Sequence, residues 1–228
     1  MNINRSQINN ILHLVGWVTT LYMIFLWSPI DTSVGLTQKI FYFHVPVGWL
    51  GMLAIFGVGI ASIMFLITKD YKWDDLAFSF AQVGIIFASL IIITGALWAK
   101  PVWGVWWSWD PKLTTTLILW FIYVGYLMVR SFAPQGSKGR KYASVVALIG
   151  AVDSPLIYLA SIWWRTAHPD LNIGPLAESD LDSSMLLVFL ITLITFTVFY
   201  LYLILERIEI RRAEDSLDEV YQNVYSTN

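Results

Sequence analysis

Long apolar runs separated by short polar stretches recur along most of this chain, and six of them are long enough to cross a bilayer. A hydrocarbon core about 30 Å thick takes roughly 20 helical residues. The pattern predicts spans over residues 8–28, 43–68, 76–98, 113–130, 142–163 and 185–205. The first of these is too long and too lightly flanked by cations for a cleaved signal, and Trp27-Ser28-Pro29 is a poor small-residue cleavage site, so it reads as a retained helix. Beyond residue 205 acids and bases mix at helical spacing, which predicts that the last helix continues into water before fraying. The expected fold is an all-α integral membrane protein: one transmembrane domain over 1–228, a six-helix bundle with a cytoplasmic tail at 206–228.

The cations set its orientation. Arg5, Lys69, Lys72, Arg130, Lys138, Arg140, Lys141, Arg207, Arg211 and Arg212 fall at the amino terminus, the even-numbered loops and the tail, whereas only Lys39, Lys100, Lys112 and Arg165 fall in the other loops. Cytoplasmic loops retain the excess of Lys and Arg, so both termini are expected in the cytoplasm and three loops outside.

Composition agrees with a membrane protein and narrows the chemistry. The chain is 57% hydrophobic and only 13% charged, against about 25% charged in a soluble protein. With no cysteine it forms no disulfide, thiolate metal site or thioether link of its own, which leaves three histidines and the carboxylates as metal ligands. A net charge of -2 with no basic stripe excludes nucleic acid as an expected partner. There is no Gly-x-x-x-x-Gly-Lys-Ser/Thr loop, so any ATPase activity is expected on another chain.

Twelve tryptophans are the one oddity, and nine of them (Trp27, Trp49, Trp98, Trp103, Trp106, Trp107, Trp109, Trp163 and Trp164) fall at or near the outer face. An anchoring belt would populate both interfaces. Five lie between Trp98 and Trp109, and the i, i+3, i+4 spacing of Trp103, Trp106 and Trp107 predicts a short helix lying flat on the membrane with those indoles along one side. A single tryptophan there would be an anchor. Five make a platform suited to a large planar ligand such as a porphyrin. Asp110-Pro111 follows, where capping of the fourth helix is the first expectation and ligand contact the second.

His44, in Phe43-His44-Val45-Pro46, and His168, in Ala167-His168-Pro169, flank this loop on the same side. Each alone could be a hydrogen-bonded interface histidine. Together, beside an aromatic platform, they are candidate ligands to haem iron. Lys100 and Arg165 are candidates to pair the propionates, with snorkelling to the membrane edge the competing role. His13 lies in the opposite half of the first span and reads as packing. Asp153, deep in the fifth span beside Ser154 and Pro155, is either a member of a local polar network or a proton relay. Aspartates 170, 180 and 182 with Glu178 form an acidic outer stretch, from which Asp182 or Ser183 is expected to cap the sixth helix. Residues alone leave open a proton-coupled transporter or channel built around Asp153, and a membrane redox protein.

The run WGVWWSWDPKLTTTLILW from Trp103, with FYFHVP around His44 and SIWWRTAHP around His168, resembles the tryptophan-rich haem-handling proteins of cytochrome c biogenesis, and specifically the haem exporter protein C family of the cytochrome c maturation system. The resemblance extends over nearly the whole chain. It implies a subunit without catalytic activity of its own that holds b-type haem at the outer face of the bacterial inner membrane and delivers it to a membrane-anchored haem chaperone. It further implies His44 and His168 as axial ligands, and Trp103, Gly104, Trp106, Trp107, Trp109 and Asp110 as porphyrin contacts. The partners implied are an ABC-type ATPase subunit, a second membrane subunit and a small single-span protein. Longer relatives that act as cytochrome c synthetases carry spans absent from this chain, and a short relative of that branch is the alternative within the family.

Overall fold

A computed structural model describes residues 5–133, 137–164, 166, 168 and 181–225. Its helices are α1 (Arg5–Tyr22), α2 (Phe41–Thr68), α3 (Tyr71–Trp103), α4 (Pro111–Phe132), α5 (Ser137–Trp163) and α6 (Ser183–Tyr225). Among the described residues, six helical segments are long and apolar enough to cross a membrane. A π turn, Met23–Trp27, extends α1, and a 3₁₀ turn, Leu36–Ile40, leads into α2.

Several helices outrun their apolar windows. At 1.5 Å per residue, the 33 residues of α3 span roughly 50 Å and the 43 of α6 roughly 65 Å, both longer than the hydrocarbon is thick. Charged surface beyond the apolar run therefore stays helical. In α6 the helix continues from the apolar segment through Glu206 and on to Tyr225.

Local chemistry explains the ends. Lys69 adopts a left-handed conformation (φ 61°) and its N–H closes α2 on the Phe65 carbonyl at 2.9 Å. Asp70 then accepts from the Lys72 N–H at 3.0 Å, so α2 and α3 are joined by a two-residue hairpin. Asp110 caps α4 in the same way, accepting from the N–H groups of Lys112 (2.9 Å) and Leu113 (3.4 Å), with Pro111 at the first helical position. Asp182 accepts from the Ser184 N–H at 2.8 Å at the start of α6. That bond and the Ser184 hydroxyl, the larger effect, hold the exposed Asp182 carboxyl below the usual carboxylate range.

α2 is the central helix, packed on α3, α5 and α6, while α1 leans on α6 at the periphery. Fully buried Tyr42, Phe65, Tyr123 and Tyr200 fill the interior, and the Tyr123 hydroxyl donates to the Gly51 carbonyl at 3.1 Å, tying α4 to α2. Trp120 donates to the Ser89 hydroxyl at 2.9 Å between α4 and α3. His13 packs against Phe199 and Tyr202 of α6, in the role its position predicts.

The helices alternate in direction, so chemistry separates by end. One end gathers His44, Trp98, Trp103 and His168. The other gathers Asp74, Asp75, Arg130, Arg140 and Arg211.

Candidate functional site

At the histidine end, α2, α3, α4 and α5 enclose a mostly apolar cavity of about 220 Å³. His44, Trp98, Trp103, Trp107, Lys112, Tyr158 and His168 line it, with Ile91, Leu119 and Ile157 among the apolar residues. His44 projects from the first turn of α2 and is only 8% exposed. His168 follows α5, its backbone N–H donating to the Thr166 hydroxyl at 3.0 Å.

The two imidazole rings both line this space. Their centroids lie 6.4 Å apart with 31° between the ring planes. Trp98 meets the His44 ring edge-on at 5.6 Å, and Trp103 meets the His168 ring edge-on at 6.5 Å. His44 Nδ1 lies 2.9 Å from the Thr94 hydroxyl oxygen. A Cβ built on the neighbouring Gly95 would come within 3.1 Å of His44 Cε1, so a residue without a side chain lets α3 approach the ring.

The tryptophan segment departs from its sequence expectation. No flat helix carries Trp103, Trp106 and Trp107: Trp103 is the last residue of α3, and Gly104, at φ 77°, ends that helix with its N–H on the Lys100 carbonyl at 3.0 Å. Only six residues then remain before Pro111 begins α4, too few for a separate helix once Asp110 is committed to capping. The i, i+3, i+4 spacing is therefore not read on a helix. Trp103 and Trp107 turn into the cavity, whereas Trp106 and Trp109 are exposed, at 56% and 78%. Gly104 serves the turn and Asp110 the cap.

Among the cations, Lys100 donates to the Gly104 carbonyl at 2.9 Å and sits over the Trp106 ring, outside the cavity wall. Among the described residues, Lys112 is the cation in that wall. Arg165 lies outside the described residues, as do Asp170, Glu178 and Asp180. Lys39 is buried and donates to the Ile24 and Ser28 carbonyls and the Ser28 hydroxyl. Asp153 is buried one turn deeper in α5 than Ile157, and its Oδ2 has no hydrogen-bond partner among the described residues.

Two indole donors matter for what the cavity can take. The Trp98 and Trp107 N–H groups are buried and find no acceptor among the described residues, nor does the Ser108 hydroxyl find a partner. A buried donor without an acceptor is costly, and both of these indoles belong to residues of the cavity wall. Sequence reasoning named neither Thr94, Gly95 nor Tyr158. Thr94 and Gly95 lie four and three residues before Trp98 on α3, so the only available signal was their helical register with that tryptophan.

Residues 4–220 match the family model described as Heme exporter protein C. The chain belongs to the Heme exporter protein C family. It is similar to Heme exporter protein C of Bradyrhizobium diazoefficiens, with 35% identity over 77% of this chain and 67% of the relative. It is also similar to the proteins of that name from Haemophilus influenzae (31%, over 79% of this chain and 74% of the relative) and Escherichia coli K12 (33%, over 68% and 61%). The Heme exporter protein C match takes in α2 to α5 whole, and with them every residue lining the cavity.

Proposed function

We propose that this chain handles haem for cytochrome c maturation, holding b-type haem in the α2–α5 cavity with His44 and His168 as the axial ligands. The observation that carries this reading is the 6.4 Å separation of the two imidazole centroids. A metal ion bonded to a ring nitrogen of each imidazole at about 2 Å keeps the ring centres roughly 6 Å apart, so the pair is spaced for one ion between them. The residues around the pair also fit a porphyrin. Trp103 and Trp107 supply apolar surface, and Lys112 supplies a positive charge in the same wall.

The chain's own residues hold and orient, and the reading requires no bond-making on them. Haem supplies the ferric or ferrous centre that the two imidazoles coordinate. The Lys and Arg distribution supports a site on the outer side of the bacterial inner membrane. From there the cargo passes to a membrane-anchored haem chaperone, within a complex that includes an ABC-type ATPase subunit, a second membrane subunit and a small single-span protein. Trp106 and Trp109, exposed beside the cavity mouth, are positioned to meet that chaperone or the porphyrin edge.

Absorption spectra of the purified chain, oxidised and reduced, test the assignment. His44→Ala and His168→Ala are each expected to lower the haem that co-purifies or to move its spectrum away from that of a six-coordinate bis-imidazole centre. Unchanged spectra in both variants would refute the ligand assignment.

A further inference from the structure

We infer that Thr94 is a positioning residue for His44: it fixes the imidazole as the Nδ1–H tautomer and leaves Nε2 as the ring atom with a lone pair for iron. This deepens the proposed function and rests on His44 being a ligand.

The argument is one of proton inventory. The Thr94 oxygen lies 2.7 Å from the Leu90 carbonyl oxygen, 3.4 Å from that of Ile91 and 2.9 Å from His44 Nδ1. A carbonyl oxygen can only accept, and a threonine hydroxyl has a single proton. That proton goes to Leu90, one turn earlier in α3. The Thr94 oxygen then meets His44 Nδ1 with a lone pair, so the hydrogen of that bond has to come from the imidazole. In a neutral imidazole one nitrogen carries hydrogen and the other a lone pair, so Nε2 is the available donor atom.

The surroundings resist any other arrangement. Gly95 places the α3 backbone close to Cε1 and Trp98 packs edge-on against the ring. Turning the ring over would exchange Nδ1 for a carbon and leave the Thr94 lone pair facing a C–H. A hydrogen bond to the non-coordinating nitrogen orients a histidine ligand and raises its basicity, and losing such a partner commonly costs about 10- to 100-fold in metal affinity.

The test titrates ferric haem b into the purified full-length chain in detergent and records the absorption spectrum. Thr94→Val and Thr94→Ala are run in parallel, with thermal unfolding midpoints to confirm folding. Both are expected to weaken haem binding by about 10- to 100-fold and to shift the spectrum towards a weaker axial ligand, while Thr94→Ser stays within a few-fold of the parent. In a His44→Ala background, which leaves Thr94 no imidazole to orient, the effect of Thr94→Val on haem binding is expected to vanish.

An equal loss from Thr94→Val in both backgrounds would overturn the inference, because the effect would then not pass through His44. Parent-like binding and spectra in Thr94→Val, alongside an altered His44→Ala spectrum, would overturn Thr94's role and leave His44 as a ligand. An unaltered His44→Ala spectrum would remove the ligand assignment and Thr94's role together.

Discussion

Lys39 ends in protein rather than in water. Its ammonium group donates to the Ile24 carbonyl at 2.6 Å, the Ser28 hydroxyl at 2.9 Å and the Ser28 carbonyl at 3.2 Å, all where α1 and its π turn run out of intrahelical partners. Lys39→Met keeps the stem and removes the donors, and hydrogen bonds to charged groups contribute about 1.5–3 kcal/mol each. The expected result is a thermal midpoint in detergent lowered by several degrees with haem binding retained, whereas a matching midpoint would show the contacts to be idle. A lysine at an outer loop edge reads from sequence as a snorkelling cation or an anion partner, and nothing in its neighbours reveals that it closes a helix. Thr94 escaped sequence reading for the same reason, because its partner His44 is 50 residues away. The histidines were legible because each is embedded in a distinctive local string, and the tryptophans because of their number within a few residues. Which indoles face the cavity was not legible, since that depends on one glycine, Gly104, in a left-handed conformation.

The end remote from the histidines is held by ion pairs between helices. Asp74, on the first turn of α3 and 1% exposed, meets Arg130 of α4 at 2.9 Å and Arg140 of α5 at 2.5 Å. Asp75 meets Arg140 at 3.2 Å and Arg211 of α6 at 3.6 Å, and Arg207 of α6 bonds the Gln82 side chain on α3. Arg130 and Arg207 also stack on the Phe78 ring. Removing one partner from a buried pair leaves the other charges uncompensated and costs about 3–5 kcal/mol. Asp74→Ala is therefore expected to lower the thermal midpoint far more than Asp75→Ala, whose carboxylate is less buried, and equal effects would contradict a network centred on Asp74. These pairs explain why the element ends were not legible. Hydropathy predicts six spans, and six helices among the described residues are long and apolar enough to cross a membrane, but hydropathy ends each window where charge begins, and here the charges at those ends satisfy one another and let α3, α5 and α6 stay helical past the apolar run. Arg130, Arg140 and Arg211, which enter the loop count as free cations, are in part structural.

Across the whole molecule, alternating helix direction sorts the chemistry: paired imidazoles and indoles at one end, the carboxylate–guanidinium network and the long extension of α6 at the other. In the proposed orientation, which follows the cation count, the second end lies in the cytoplasm, and that orientation decides whether the cavity opens toward the compartment where cytochromes c are matured. The chain contains no cysteine, so a single introduced thiol reports its own side of the membrane without background. Val105, 45% exposed in the turn after α3, and Leu217, 69% exposed on the α6 extension, sample the two ends without touching the histidines or the ion pairs. In right-side-out vesicles a membrane-impermeant maleimide is expected to label Val105→Cys and to spare Leu217→Cys until detergent is added, with the reverse in inside-out vesicles. Labelling of Leu217→Cys from the outside, with Val105→Cys protected, would invert the bundle. The imidazole pair would then face the compartment where haem is made rather than the one where it is consumed, and outward delivery from this site would have to be abandoned even if both histidines proved to bind iron.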